Sequence, residues 1–134
     1  MKKINPDTLT STVTSLITQI VVAPVSELAF ISGQVALNEK GELIGEGDYG
    51  LQARQVFINL KLALDAIAAG PENIVQMKIH VVNHRPELVD SIFKAGFEVF
   101  GDQWPLTAST FIGVQALGFE EWLVEVDAIV TVSN

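Results

Sequence analysis

The chain has no cysteine, which removes disulfides, thiolate nucleophiles and thiolate metal ligands at once. Cations are scarce as well: 8 Lys and Arg stand against 16 Asp and Glu, a formal net charge of -8. Beyond Lys94 there is no Lys, Arg or His, while Glu98, Asp102, Glu120, Glu121, Glu125 and Asp127 all follow. Binding to a phosphate backbone needs clustered cations that release counterions, so no nucleic-acid partner is expected. The two histidines, His80 and His84, are four apart on what reads as a strand, a span of roughly 13 Å, so they cannot share a metal ion. No metal site is expected.

Long apolar runs are also missing. The stretch from Leu16 to Val25 is interrupted by Thr18 and Gln19 and falls short of the ~20 residues that span a bilayer. After Met1-Lys2-Lys3, Asn5, Pro6, Asp7 and a Thr/Ser-rich segment stand where a signal peptide would be apolar. These features predict a cytoplasmic protein with no membrane partner.

What is present is one domain's worth of apolar residues. At 134 residues the expectation is a single domain over 1–134, and the 49% hydrophobic content predicts that part of its surface is covered by another subunit. Ile17–Ala23 and Glu27–Ser32 read as strands of an opening hairpin turning at Pro24–Ser26. A short extended "QVAL" follows, then "NEKGELIGEGDYG", a glycine-rich loop with room for a small hairpin. From Leu51 to Ala69 apolar residues recur at helical spacing, and Gly70-Pro71 supplies a stop.

Asn73–Asn83 alternates, with Val75, Met77, Ile79 and Val81 on one side and Gln76, Lys78, His80 and Val82 on the other. A second helix opens near Pro86 and presents Val89, Phe93, Phe97 and Phe100; Gly96 inside it points to close packing. Strands at about Leu106–Gln115 and Trp122–Val132 complete the order ββ(β)αβαββ. Two helices can cover one face of such a sheet and leave the other to water or a partner.

Three features carry candidate chemistry. Glu125 and Asp127, two apart on the last strand, point to one face roughly 7 Å apart, as a carboxylate pair for acid/base work or as a polar face meeting Lys78 or His80. "WPLTASTFIGV" holds the hydroxyls Thr107, Ser109 and Thr110 with no charge and no base placed beside them, so they read as hydrogen-bonding residues. Arg54 reads as a residue of the first helix's polar side, and Trp104 as core or interface packing.

The stretches "FISGQVALNEKGELIGEGD", "LQARQVFINLKLALDAIAAG" and "LVEVDAIV" resemble the reactive-intermediate deaminase family, also called YjgF or L-PSP endoribonuclease-like, from about Ile17 to Val132. The resemblance implies a chorismate-mutase-like α+β fold, a mixed sheet of about six strands with two helices on one face, assembled as a homotrimer with clefts between subunits. It implies hydrolysis of small imines or enamines to a 2-keto acid and ammonia without a cofactor. Glu125 matches the family's water-placing glutamate, and Ser32, Gly33 and Gln34 match its strand-end motif. The family's carboxylate-binding arginine has no counterpart: Ser109, or Ala108 if the hairpin differs by a residue, stands there, which makes Ser109 and Thr110 the expected ligand contacts on that strand. A small-molecule hydrolase follows as the first expectation, a non-catalytic small-molecule-binding trimer as its alternative, and an endoribonuclease as a third reading that the acidic charge opposes.

Overall fold

Alternation of apolar and polar residues builds the centre of the sheet. The structure, a computed structural model, describes residues 1–24 and 27–132. Its strands are β1 (Lys2–Ile4), β2 (Ile20–Val22), β3 (Glu27–Gln34), β4 (Ile74–Val82), β5 (Ala108–Val114) and β6 (Val124–Val132); its helices are α1 (Tyr49–Ala66) and α2 (Leu88–Phe100). On β4, Met77, Ile79 and Val81 are fully buried, and on β6 so are Val124, Val126 and Val130, the period-2 signature of one covered face. A bulge at Val75 lets Ile74 rather than Val75 join that face.

Four strands form the main sheet in the order β3-β6-β4-β5, and the remaining two form a separate ribbon. β6 runs antiparallel to both β3 and β4, whereas β4 and β5 are parallel and joined through α2, as a parallel pair requires. The expected opening hairpin does not form: β2 pairs with β1, which sequence reading left out, and β3 pairs with β6. Of the expected turn, Val25 and Ser26 lie outside the described residues. The strand ahead of α1 in "QVAL" shrinks to a bridge between Leu37 and Leu43, a small hairpin in which Asn38 Oδ1 accepts from the amides of Lys40 and Glu42.

Both helices pack on the buried face. α1 begins two residues earlier than its apolar spacing indicated, because the Asp48 side chain caps it by accepting from the Leu51 amide. Its inward side is Ala53, Val56, Phe57, Leu60 and Leu64, with one polar member, Gln52, fully buried among them. Gln52 Nε2 donates to the carbonyls of Gly45 and Glu121 while its Oε1 accepts from the Leu123 amide, so one side chain ties the helix to the loops before α1 and before β6. α2 buries Leu88, Ile92, Phe93 and Phe100. Trp104, nearly buried, has its ring within 5.2 to 6.2 Å of those of Phe57, Phe93, Phe97 and Phe100, and its Nε1 donates to the Leu16 carbonyl. None of the helices among the described residues is long and apolar enough to cross a membrane.

Candidate functional site

With both helices on one side, the other side of the four-stranded sheet collects the polar strand positions. Register decides which of them meet. Lys78 on β4 lies opposite Asp127 on β6, His80 lies opposite Glu125, and Thr110 on β5 lies beside Lys78. Residues paired across strands share a face, so Glu125, Asp127, Lys78, His80 and Thr110 stand together on the helix-free side. The carboxylate pair therefore stands across from Lys78 and His80, as the polar-face reading of the sequence anticipated, with His80 the one in contact with Asp127.

His80 is held from two directions. Its Nδ1 lies 3.2 Å from the Glu125 carbonyl and 4.0 Å from Asp127 Oδ2. A carbonyl only accepts, so the hydrogen bond assigns the proton to Nδ1 and leaves Nε2 with the lone pair when the ring is neutral.

Glu125 owes its place to an irregularity in the neighbouring strand. Ile31 pairs with Ala128 and Gln34 with Val126, so Ser32 and Gly33 together oppose the single residue Asp127, a β-bulge at the end of β3. The half-buried Glu125 side chain lies over the bulged glycine: an ideal Cβ on Gly33 would stand 2.6 Å from Glu125 Cδ and 2.9 Å from Oε2. Only glycine leaves that space. Gln34 Nε2 donates to the Ser32 carbonyl and braces the same bulge from within. The Ser32-Gly33-Gln34 stretch and Glu125, ninety residues apart in the chain, thus form one local unit.

The hydroxyl strand divides between the two faces. Thr107 is buried and donates to the Ile74 carbonyl, and Ser109, in register with the core residue Met77, donates to the Thr107 carbonyl. Ser109 therefore points to the helix side, away from Glu125, with its hydroxyl engaged. Thr110 is exposed on the helix-free face. Of the two expected contacts on this strand, the structure brings Thr110 to Glu125's side of the sheet and not Ser109.

The sequence marks His80 only as a sheet-face hydrogen-bonder, and Lys78, with Arg54 and Lys94, only as a cation that a neighbouring subunit could bring to an anionic ligand group. The signal for His80 and Lys78 was the alternation of β4, which put them on one side, but only strand pairing shows that this is also the side of Glu125. His84 sits in the loop after β4 with its ring 4.9 Å from Phe111, apart from His80, and among the described residues no group of three or more acidic or histidine side chains could hold a metal. The carboxyl of Glu87, outside the site, is held below the usual carboxylate range by a backbone hydrogen bond and then by Arg85. Arg54 lies on the outer surface of the helices, its Nε 3.9 Å from Glu98.

Comparison with known proteins covers nearly the whole chain. Residues 15–132 match the family described as endoribonuclease L-PSP. A Rid-family protein of unknown function, YyfB from Yersinia pestis, is 36% identical with a TM-score of 0.89, the match covering 98% of each chain. The YjgF gene product of E. coli has the same fold at 22% identity and a TM-score of 0.67, covering 81% of this chain and 84% of that one. E. coli TdcF, solved with bound serine, does so at 20% identity and a TM-score of 0.69, covering 86% and 93%. No curated protein sequence gives a significant match. Among the described residues, two helices with six strands, four of them in one mixed sheet, are the α+β arrangement that the resemblance implied.

Proposed function

Because the chain belongs to the endoribonuclease L-PSP (YjgF/Rid) family, we propose that it is a divergent, cofactor-independent imine or enamine hydrolase whose ligand binds on the helix-free face in a cleft completed by a neighbouring copy of a homotrimer. The observation that carries this reading is the Glu125 carboxylate laid over Gly33 at the β3 bulge. A carboxylate fixed at a strand end can hold a water molecule and take up its proton as the oxygen adds to the carbon of a protonated C=N; the carboxyl then returns that proton to the nitrogen as the carbinolamine collapses, which leaves the ketone, releases ammonia as ammonium and restores the carboxylate. Each turnover consumes one water and releases one ammonia. His80, oriented by the Glu125 carbonyl, stands next to this path with Nε2 unprotonated in its neutral form.

Two further observations support the setting. Phe30 and Leu28 on the edge strand β3 are 72% and 49% exposed, apolar surface that a neighbouring copy would cover. The bound serine of E. coli TdcF supports a small polar ligand for this fold. A cysteine-free chain fits a reducing, cytoplasmic setting.

The alternative, a non-catalytic small-molecule-binding trimer, is favoured by Ser109: where the family has an arginine, this chain has a short hydroxyl bonded to its own strand and facing the helices. A guanidinium fork offers two charge-assisted bonds that a serine cannot supply. Ribonuclease activity is opposed by the net charge of -8.

The test is keto-acid formation from 2-iminopropionate and 2-iminobutyrate generated in situ, measured against spontaneous decay. Wild type is expected to accelerate it, and Glu125→Gln to lose about a hundredfold or more of that acceleration. An unchanged rate in Glu125→Gln overturns the assignment, and no acceleration by wild type leaves binding as the function.

A further inference from the structure

We infer that Lys78 is the specificity-determining cation of the helix-free face, selecting ligands that carry a carboxylate close to a protonated nitrogen. This rests on the reading of that face as the ligand site. β3, β4, β5 and β6 together contain a single Lys or Arg, and it is Lys78. The side chain is exposed and, among the described residues, forms no ion pair, although Asp127 stands directly across from it. Asp127 Oδ2 instead lies 4.0 Å from His80 Nδ1. The ammonium therefore keeps its three donors for solvent or a ligand.

The other cations near the core are occupied or elsewhere. Arg54 Nε faces Glu98 at 3.9 Å and Arg85 Nε faces Glu87 at 2.8 Å. Lys94 lines a cleft of about 280 Å³ between the two helices, on the opposite side of the sheet from Glu125.

The charge pattern around Lys78 narrows the ligand class. Thr110 flanks it on β5, and its exposed hydroxyl makes no hydrogen bond among the described residues. One step along the strands is the His80–Glu125 pair, which puts Glu125 diagonally from Lys78 at about 7 to 8 Å between backbones. A purely anionic ligand would meet Glu125 and Asp127, and a purely cationic one would leave Lys78 unused. A small zwitterion satisfies both ends: its carboxylate on Lys78 and Thr110, its protonated nitrogen toward Glu125 and Asp127. That polarity also places the carbon bearing the nitrogen next to Glu125.

The experiment is calorimetric titration of the intact protein with L-alanine and with L-alaninamide, which lacks the carboxylate. Wild type is expected to favour L-alanine by about tenfold. Lys78→Met should erase that preference and Lys78→Arg should restore it, while thermal melts of both variants match wild type because the side chain is exposed. Equal affinity of Lys78→Met and wild type for L-alanine overturns the inference, as does a wild type that fails to bind it or prefers the amide. Failure of the hydrolase reading is separately visible: an inactive wild type that still shows a Lys78-dependent preference loses the reaction and keeps the contact.

Discussion

Gly33 and Glu125 define each other. Nothing in the described backbone demands glycine at 33 through a positive φ; what demands it is the Glu125 carboxyl, which occupies the volume of a methyl group. Gly33→Ala should therefore act on the carboxylate rather than on the fold. The atoms in conflict belong to the end of a flexible side chain that can swing aside, so the expected loss of stability is about 1 kcal/mol or less by urea titration. Displacing the carboxylate should cost imine hydrolysis about as much as Glu125→Gln does. Full activity in Gly33→Ala would show that the position of Glu125 over the bulge does not matter. The pairing was only half legible in the sequence: family resemblance singled out both residues, but their contact depends on a bulge that no local pattern announces.

Helix positions were legible from periodicity, and their ties to the rest of the fold were not. Gly96 in α2 illustrates the legible part. Sequence reading attributed it to close packing, and an ideal Cβ there would stand 2.2 Å from Trp104 Cζ3. Gly96→Ala gains up to about 1 kcal/mol in helix propensity, yet it must push a ring that four phenylalanines surround. We expect overpacking to win, with a net destabilisation of about 1 to 3 kcal/mol in chemical denaturation. Gln52 illustrates the hidden part: the apolar spacing of the helix does not mark it for the core, and its burial with three backbone partners is visible only in the fold. Gln52→Leu fits the apolar surroundings but strands two carbonyls and one amide. At about 1 to 3 kcal/mol for each buried group left unpaired, it should lower stability by at least about 2 kcal/mol, and a neutral result in the same assay would mean water replaces the side chain.

At the scale of the molecule, two faces of one sheet have different fates. The helices seal one, and the other combines a charged centre with the exposed apolar edge of Phe30 and Leu28. Burying a phenylalanine is worth about 1.5 to 3 kcal/mol, so an assembly that covers several copies of this edge gains substantially from it. Light scattering should give about three times the 14.5 kDa chain mass for wild type. Phe30→Glu, which places a charge in that contact, should shift the mass toward a single chain and, if the cleft lies between subunits, abolish hydrolysis with it. A monomeric wild type would remove the assembly from the proposal.

The sequence by itself determined the order of elements from β2 onward, the inward side of α1, the inward row of β4 from Met77 to Val81 and the family, because each is written in local periodicity or in motif residues contiguous in the chain. Even there, the opening strands were given the wrong partners: β-strands of similar composition compete for pairing, and the choice of β1 for β2 and β6 for β3 is settled by long-range register. Only the tertiary structure decided that Lys78, His80, Thr110 and Glu125 share a face while Ser109 turns to the core side. Side-chain direction in a sheet alternates with every residue, so whether distant residues belong to one site depends on a register that strand pairing alone sets.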